Sequence, residues 1–181
     1  MPRLMLVSVA IVALVAIGGC SRPGAPAQAP LVADFRQFCI DTQLQPDAVK
    51  AAAARAGAKP VVQSGFAAPS TQNWDHAASG HHVALRLAMA PDAGGAVSNE
   101  AVCTVSDEQD GGASLKAVRA WVGAPAGDGN FEQYYFTLDN GQPRYVPRES
   151  LSPLRARVLT GGLYRLSLAS FDNSTALTLQ N

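Results

Sequence analysis

The hydrophobic pattern divides the chain into an apolar start, a proline-rich stretch and a longer region in which helix-like and strand-like periodicities follow one another. Residues 4–17 form a continuous apolar run. It is shorter than the roughly 20 apolar residues that a membrane-spanning helix needs. With Arg3 before it, this run is typical of a targeting segment that is removed from the mature protein.

Two helices are predicted after the proline-rich stretch. Over residues 31–42, apolar side chains recur at close to helical spacing, which places Cys39 on the buried face. Pro46 and Asp47 are favourable in the first turn of a second helix. Its alanine-rich continuation has a strong helix propensity, and Gly57 ends it.

A third helix and six strands are predicted further along the chain. Leu115, Val118 and Val122 have the spacing of a short amphipathic helix. Alternation of apolar and polar positions predicts strands at residues 83–89, 100–106, 131–138, 142–146, 162–171 and 176–180. Strands that are neighbours in sequence pair antiparallel. We therefore expect a single α+β domain over residues 31–181, with an antiparallel sheet of five or six strands and about three helices packed on one face.

Two surfaces in this arrangement are candidates for binding a partner. The last strand, Ala176 to Gln180, is a candidate sheet edge to which another chain could add a strand. The aromatic side chains form either an exposed patch or part of the core, since strand alternation buries either Tyr134 with Phe136 or Tyr135 with Phe131. The aromatic residues considered for the patch are Trp74, Trp121, Tyr134, Tyr135, Phe136 and Tyr145.

Composition and motifs argue against several classes of function. The chain carries 14 Lys and Arg and 14 Asp and Glu, so no basic excess indicates a nucleic-acid-binding protein. The sequence contains no run of Lys and Arg of the kind that forms an electrostatic patch for lipids. The sequence also lacks a glycine-rich phosphate loop and a nucleophile elbow. No cofactor is predicted, and an enzymatic function has no motif in its favour.

The segment Ile17-Gly18-Gly19-Cys20 resembles the lipobox of bacterial lipoproteins. The resemblance implies that residues 1–19 are a lipoprotein signal peptide and that the mature chain begins at Cys20, which carries the acyl chains that hold the protein on a membrane. Ser21 after the cysteine resembles the default outer-membrane sorting context, which implies a lipid-anchored location in the cell envelope, at the outer membrane and facing the periplasm. The alternative is an ordinary secretory signal cleaved near Gly19, which leaves Cys20 as a free thiol.

A tether is predicted between the lipid and the domain. Residues 20–30 begin with the lipidated cysteine and are rich in proline and alanine, and the prolines block both helix and ladder pairing. At polyproline spacing the segment from Ser21 to Pro30 reaches about 31 Å. This length holds the domain just off the lipid headgroups.

The remaining cysteines form an even pair once Cys20 is assigned to the lipid. In an oxidising compartment, Cys39 and Cys103 are then expected to form one disulfide. Closing a loop of about 65 residues would stabilise the fold by about 4 kcal/mol in the chain-entropy model. The alternative is two buried, reduced thiols. A catalytic thiol is disfavoured because no base lies near either cysteine in sequence.

All three histidines lie in one short segment that begins with Asp75. Imidazole and carboxylate groups are ligands that zinc and copper prefer. However, His81 and His82 are adjacent at the start of a strand, so their side chains leave on opposite faces. No Glu lies between two histidines as it does in the hydrolytic zinc motif. We therefore predict no metal site, with Asp75, His76, His81 and His82 as the weak candidates.

The run from Phe38 to Thr42, an alanine-rich helix and Cys103 in a strand are together similar to small envelope proteins of uncharacterised function in Gram-negative bacteria. This resemblance implies no reaction and no catalytic residue. We expect a membrane-anchored envelope lipoprotein that acts as a binding or assembly module, with an envelope protein as its partner. The alternatives are an envelope hydrolase or its accessory subunit, with a site near Asp75, His76 and His81, and a protein inhibitor of an envelope enzyme.

Overall fold

A computed structural model describes residues 29–62, 71–91, 97–108, 113–125, 127, 129–152, 159, 162–172 and 174–181. Three α-helices lie at Pro30–Phe35 (α1), Pro46–Arg55 (α2) and Ala113–Val122 (α3). Eight strands lie at Lys59–Val61 (β1), Thr71–His76 (β2), His81–Pro91 (β3), Val97–Asp107 (β4), Phe131–Asp139 (β5), Gln142–Val146 (β6), Leu163–Phe171 (β7) and Ser174–Gln180 (β8). Helix α1 continues directly into a π-helical turn at Arg36–Ile40, and a 3-10 turn lies at Arg148–Ser150.

The start of the domain differs slightly from the predicted boundary. The predicted signal peptide, Cys20 and most of the tether lie outside the described residues. Pro30, expected to be the last residue of the tether, is instead the first residue of α1. Proline is tolerated there because the first backbone N–H groups of a helix have no partner within the helix.

All eight strands form one sheet in the order β1-β2-β3-β4-β8-β7-β5-β6, and every neighbouring pair is antiparallel. The predicted α+β class is therefore confirmed, but the expected count of five or six strands is wrong. The two missed strands, β1 and β2, lie together at one edge. Strand β1 has only three residues, and β2 has Trp74 as its single large apolar side chain, so neither shows a period-two pattern.

The last strand lies inside the sheet and not at its edge. Strand β8 pairs with β4 on one side and with β7 on the other, so the predicted edge at Ala176 to Gln180 is wrong. Leu177 and Leu179 on this strand are fully buried. The edges of the sheet are β1 and β6.

One main core lies between the helices and one face of the sheet. Phe35 and Phe38 from the first helical segment, Val49 from α2 and Val118 from α3 all belong to the same buried cluster as Val83 of β3. A second, smaller cluster lies on the opposite face of the sheet near β5, β6 and β7. Its members are Tyr135, Leu151 and Leu163, with Val146 and Leu159 packed against them.

Turn residues with positive φ end several elements where the sequence predicts a reversal. Asn140 and Gly141, between β5 and β6, have φ values of 51° and 76°. These are left-handed conformations that Asn and Gly adopt more readily than other residues, and they fit a two-residue hairpin turn. Gly57, with φ 71°, follows α2 and allows the chain to enter β1.

Candidate functional site

Helix α1 carries one carboxylate on its buried side, and this group binds two of the three histidines. Asp34 is 6% exposed. Its Oδ2 atom accepts a hydrogen bond from Ser79 Oγ at 2.6 Å and lies 2.7 Å from His76 Nδ1 and 2.8 Å from His81 Nδ1. We call these four residues the Asp34 cluster.

The β2–β3 hairpin positions the three partners of Asp34. His76 is the last residue of β2 and His81 the first residue of β3, and the two are directly paired in the register. Both side chains therefore lie on the face of the sheet that packs against the helices. Ser79 lies in the connecting turn, where its backbone N–H and that of Gly80 donate to the carbonyl oxygen of His76.

The hydrogen bonds keep Asp34 ionised although it is buried. Burial alone would raise the pKa of Asp34, but the hydrogen bonds from Ser79, His76 and His81 outweigh it and lower the pKa from its ordinary value of 3.8. An ionised carboxylate only accepts hydrogen bonds, so both Nδ1 atoms carry protons. His81 also places Nε2 3.5 Å from Oδ2 of Asp107, so its ring lies between two carboxylates.

The Asp34 cluster does not have the geometry of a nucleophile relay. In a Ser–His–Asp relay, serine and carboxylate contact opposite ring nitrogens of the histidine. Here Ser79 Oγ and Asp34 Oδ2 both lie against Nδ1 of His76, at 2.9 and 2.7 Å. The serine hydroxyl also donates to Asp34 itself. The cluster therefore joins α1 to the hairpin by hydrogen bonds that converge on one carboxylate oxygen.

The remaining predicted residues, Asp75 and His82, lie on the opposite face of the sheet. They are directly paired between β2 and β3, and His82 Nδ1 is 2.8 Å from Asp75 Oδ1. Both side chains are substantially open to solvent. The prediction that His81 and His82 leave on opposite faces is thus confirmed, and the four candidates divide between two separate sites.

Asp75 and His82 line an open groove at the end of the sheet where the β2–β3 turn lies. The groove has a volume of about 590 Å³. It is lined by Asp75, Ser79, Gly80, His82, Ser106, Asp107 and Glu108. Three of the lining side chains are carboxylates, so a negatively charged ligand would be repelled. Ser106 lies directly across from His82 in the β3–β4 register.

A second polar network, which no sequence pattern indicates, joins α3 to β5. Arg119 donates through Nε to Glu132 Oε2 at 2.9 Å, and its Nη2 contacts Oε1 of the same carboxylate. The Tyr134 hydroxyl donates to Glu132 Oε2. The pKa of Tyr134 is raised to about 12, mainly by burial and next by this contact with Glu132. For Glu132, the hydrogen bonds outweigh a burial effect that alone would raise the pKa, and its pKa is lowered.

A disulfide joins the first helical segment to the centre of the sheet. The Cys39 and Cys103 sulfur atoms are 2.01 Å apart, and both residues are fully buried. This fits the pairing predicted from the cysteine count. Because Cys103 lies on β4, the π-helical turn is fixed to a central strand.

Of the two alternatives for the aromatic residues, the structure supports a location in the core and not an exposed patch. Trp74, Tyr134, Tyr135 and Phe136 are all buried, and Trp121 packs against the core with Arg36 over its ring at 5.8 Å. Three consecutive residues of β5 are buried because both faces of the sheet are covered there. Tyr145 is half-buried and makes an edge contact with Tyr134, with ring centroids 6.2 Å apart. Among the residues that the structure describes, the large exposed hydrophobic ones are Val62, Phe131 and Phe171.

Within the part of the chain that the structure describes, no group of three or more His, Cys, Asp or Glu side chains is arranged to hold a metal ion. Over the same residues, no helix has the length and apolar character needed to cross a membrane. No protein-family model, curated protein or solved structure matches the chain.

Proposed function

We propose that the protein is a lipid-anchored component of the bacterial cell envelope that acts by binding a protein partner and not by catalysis. The lipobox resemblance at Cys20 supports the anchor, and the Cys39–Cys103 disulfide fits an oxidising compartment. The balanced overall charge gives no reason to expect nucleic acid as a ligand.

The convergence of Ser79, His76 and His81 on one oxygen of Asp34 is the observation that carries the binding function. A catalytic acid or base must reach a substrate proton with a free lone pair or hydrogen. Asp34 and His81 are buried, and Ser79, His76 and His81 all direct their side chains at the same carboxylate oxygen. These residues supply rigidity to the domain, while the groove and sheet surface beside them are open to a partner.

The anchor is tested by labelling cells that express the full chain with a palmitate analogue. We expect label on the wild-type protein and none on a Cys20→Ala variant, with the wild type in the membrane fraction. A Ser21→Asp variant should stay lipidated but move to the inner membrane. An unlabelled wild-type protein in the soluble fraction would overturn the anchored function.

A hydrolase is the second candidate, and one observation favours it. Asp75, His82 and Ser106 occupy the same position on three adjacent strands, and the Asp75–His82 contact uses Nδ1. That contact leaves Nε2 of His82 as the nitrogen available to a serine, which is the order required for a Ser–His–Asp relay.

A fluorophosphonate probe distinguishes the two candidates. The binding function predicts that the purified full chain is not labelled. Labelling that is lost in Ser106→Ala but kept in Ser167→Ala, a serine on the same face of the sheet, would support the hydrolase and contradict the binding function.

A further inference from the structure

Two phenylalanines are exposed close together on the face of the sheet opposite the helices. Phe131 is 57% exposed and Phe171 is 62% exposed. Phe131 pairs with Ala169, two residues before Phe171, and Ala169 pairs with Ala176 on β8. Alternate residues of a strand share a face, so these four side chains form one apolar surface. We call it the phenylalanine patch.

The patch differs from the other apolar positions on this face. Further along the same strands, Tyr135 and Leu163 are covered by Leu151 and Leu159. Phe131 and Phe171 have most of their side-chain surface in solvent. Moving apolar surface out of water is favourable, and the gain grows with the area that is buried. A partner that covers both therefore gains a substantial part of its binding free energy from this surface.

Acidic side chains border the patch. Asp172 directly follows Phe171 and is exposed. The β4–β8 register, continued by one residue, places Glu108 beside Ser174, and Ser174 pairs with Phe171. Glu108 and Asp75 both line the groove, so the groove and the patch adjoin at the same end of the sheet.

Charge decides which kind of occupant this surface favours. Lys59 pairs with Asp75 in the β1–β2 register, and Asp107 lies on the other face of the sheet beside His81, which leaves Glu108 and Asp172 as the acidic groups that border the patch. An anionic lipid surface attracts basic side chains and repels acidic ones, so these groups disfavour binding to it. These charges would therefore oppose the gain that the two phenylalanines make on an anionic bilayer.

A second copy of the chain is disfavoured for a related reason. A two-fold contact places the same surface on both sides, so acidic groups would face acidic groups. A cationic polypeptide has neither disadvantage, because its charge complements the border and its apolar side chain covers the phenylalanines.

We propose that the phenylalanine patch and the adjoining groove bind a polypeptide segment that carries an apolar side chain next to Lys or Arg residues. This inference rests on the proposed binding function and names the chemistry of the partner. Both contributions come from one end of the sheet, where the patch supplies apolar area and the groove supplies negative charge.

The test places a photo-crosslinking amino acid at position 171 of the full chain in cells, with position 62 as the matched control. Val62 is 92% exposed and directly follows β1, which is separated from β7 in the sheet by β2, β3, β4 and β8. We expect an adduct from position 171 whose crosslinked segment, read by mass spectrometry, is rich in Lys or Arg. The adduct should fall about tenfold with Phe131→Ser or Glu108→Lys, and should be unchanged with Asp47→Lys on α2.

A measurement with defined peptides supplements the cellular experiment. Two peptides of equal length, one with lysines around a central leucine and one with glutamates around it, are titrated into the purified chain. We expect the lysine peptide to bind at least about tenfold more tightly, to shift NMR signals of residues around Phe131, and to weaken as salt rises. Unchanged melting temperatures of the variants show that they are folded.

The other outcomes overturn the inference. They are an adduct to lipid, an adduct to a second copy, an adduct to a neutral or acidic segment, and an adduct no stronger than that from position 62. Equal affinities of the lysine and glutamate peptides would also overturn the inference. A lipidated, membrane-bound protein without the cationic adduct would contradict this inference but leave the anchor intact, whereas loss of lipidation at Cys20 would contradict the proposed function whatever the crosslinks show.

Discussion

Asp34 Oδ2 lies 2.8 Å from His81 Nδ1, and this contact joins the first helix of the domain to the first residue of β3. His76 and Ser79 meet the same oxygen atom. The hairpin and the helix are distant in sequence, so the contact fixes their relative position at a single buried charge. Its loss should be measurable as a loss of stability.

Replacing Asp34 with Asn keeps the size of the side chain but removes the charge that the three hydrogen bonds favour. We expect the free energy of unfolding, measured in urea at neutral pH, to fall by about 2–3 kcal/mol. Asp47→Asn is the control, because Asp47 is exposed in the first turn of α2, and its change should stay within about 0.5 kcal/mol. A similar loss in both variants would argue against the role of Asp34.

Wild type and Asp34→Asn should differ in how their stability depends on pH. Because the fold lowers the pKa of Asp34, its contribution is fully present above the unfolded value of 3.8 and is lost as pH falls through the lower folded value. The difference between wild type and Asp34→Asn should therefore shrink in acid. Urea unfolding of both proteins from neutral pH downward measures it, and a constant difference would contradict the ionised state of Asp34.

Removing the disulfide should destabilise the domain strongly. The bond joins residues 64 apart in sequence, and the chain-entropy model assigns about 4 kcal/mol to a loop of that size. A variant with Cys39→Ser and Cys103→Ser should melt well below the wild type. A reductant should lower the melting temperature of the wild type and leave that of the double variant unchanged. If the reductant affects neither, the two thiols are not bonded.

Gly127→Ala should disturb the network between α3 and β5. A Cβ atom at this position would overlap the Glu132 carboxylate, which Arg119 and Tyr134 hold in place. We expect a loss of about 1–2 kcal/mol in unfolding free energy, the cost of disturbing a buried hydrogen-bonded group.

Gly129→Ala is the matched control for that change. Its Cβ atom would come no closer than 3.4 Å, to the backbone oxygen of Phe131. Chemical denaturation should therefore show little change for Gly129→Ala. Equal losses at both glycines would indicate a general effect of alanine in this loop and not contact with Glu132.

The Tyr134 hydroxyl should make the fold sensitive to alkali. Its pKa is raised from 10 to about 12, so the folded state holds the proton more tightly than the unfolded state, and stability falls as pH rises through this range. Tyr134→Phe removes the titrating group. The slope of unfolding free energy against pH above 10 should be smaller in the variant than in the wild type, and identical slopes would contradict the assignment.

Hydrophobic periodicity predicts a helix or strand well where the element is long and has one face buried against neighbouring elements. Strands β3 to β8 were all predicted within a few residues, because apolar and polar side chains alternate along them. Strands β1 and β2 were missed because a short edge strand with polar side chains has no such alternation. The order of the strands in the sheet could not be predicted from hydrophobic periodicity either, because the position of β8 between β4 and β7 depends on pairing between segments that are distant in sequence.

The candidate site was predicted only in part for a similar reason. The histidine segment is visible in the sequence because its members are neighbours. Asp34 is more than 40 residues away from them, and only its position among apolar residues of a helix marks it as a carboxylate that needs a buried partner. The Arg119–Glu132–Tyr134 network joins two elements whose packing is set by tertiary structure, so no local pattern indicates it.

The disulfide gives the domain a defined mechanical behaviour. A pulling force applied at the amino terminus would act first on α1 and its Asp34 contacts, and could unravel the chain only as far as Cys39. Beyond that residue the load would pass through the covalent bond into β4, which pairs with β3 and β8 on either side. The domain should therefore resist extension from its amino-terminal side as a strand held within a sheet does, with only the residues from 30 to 38 free to lengthen.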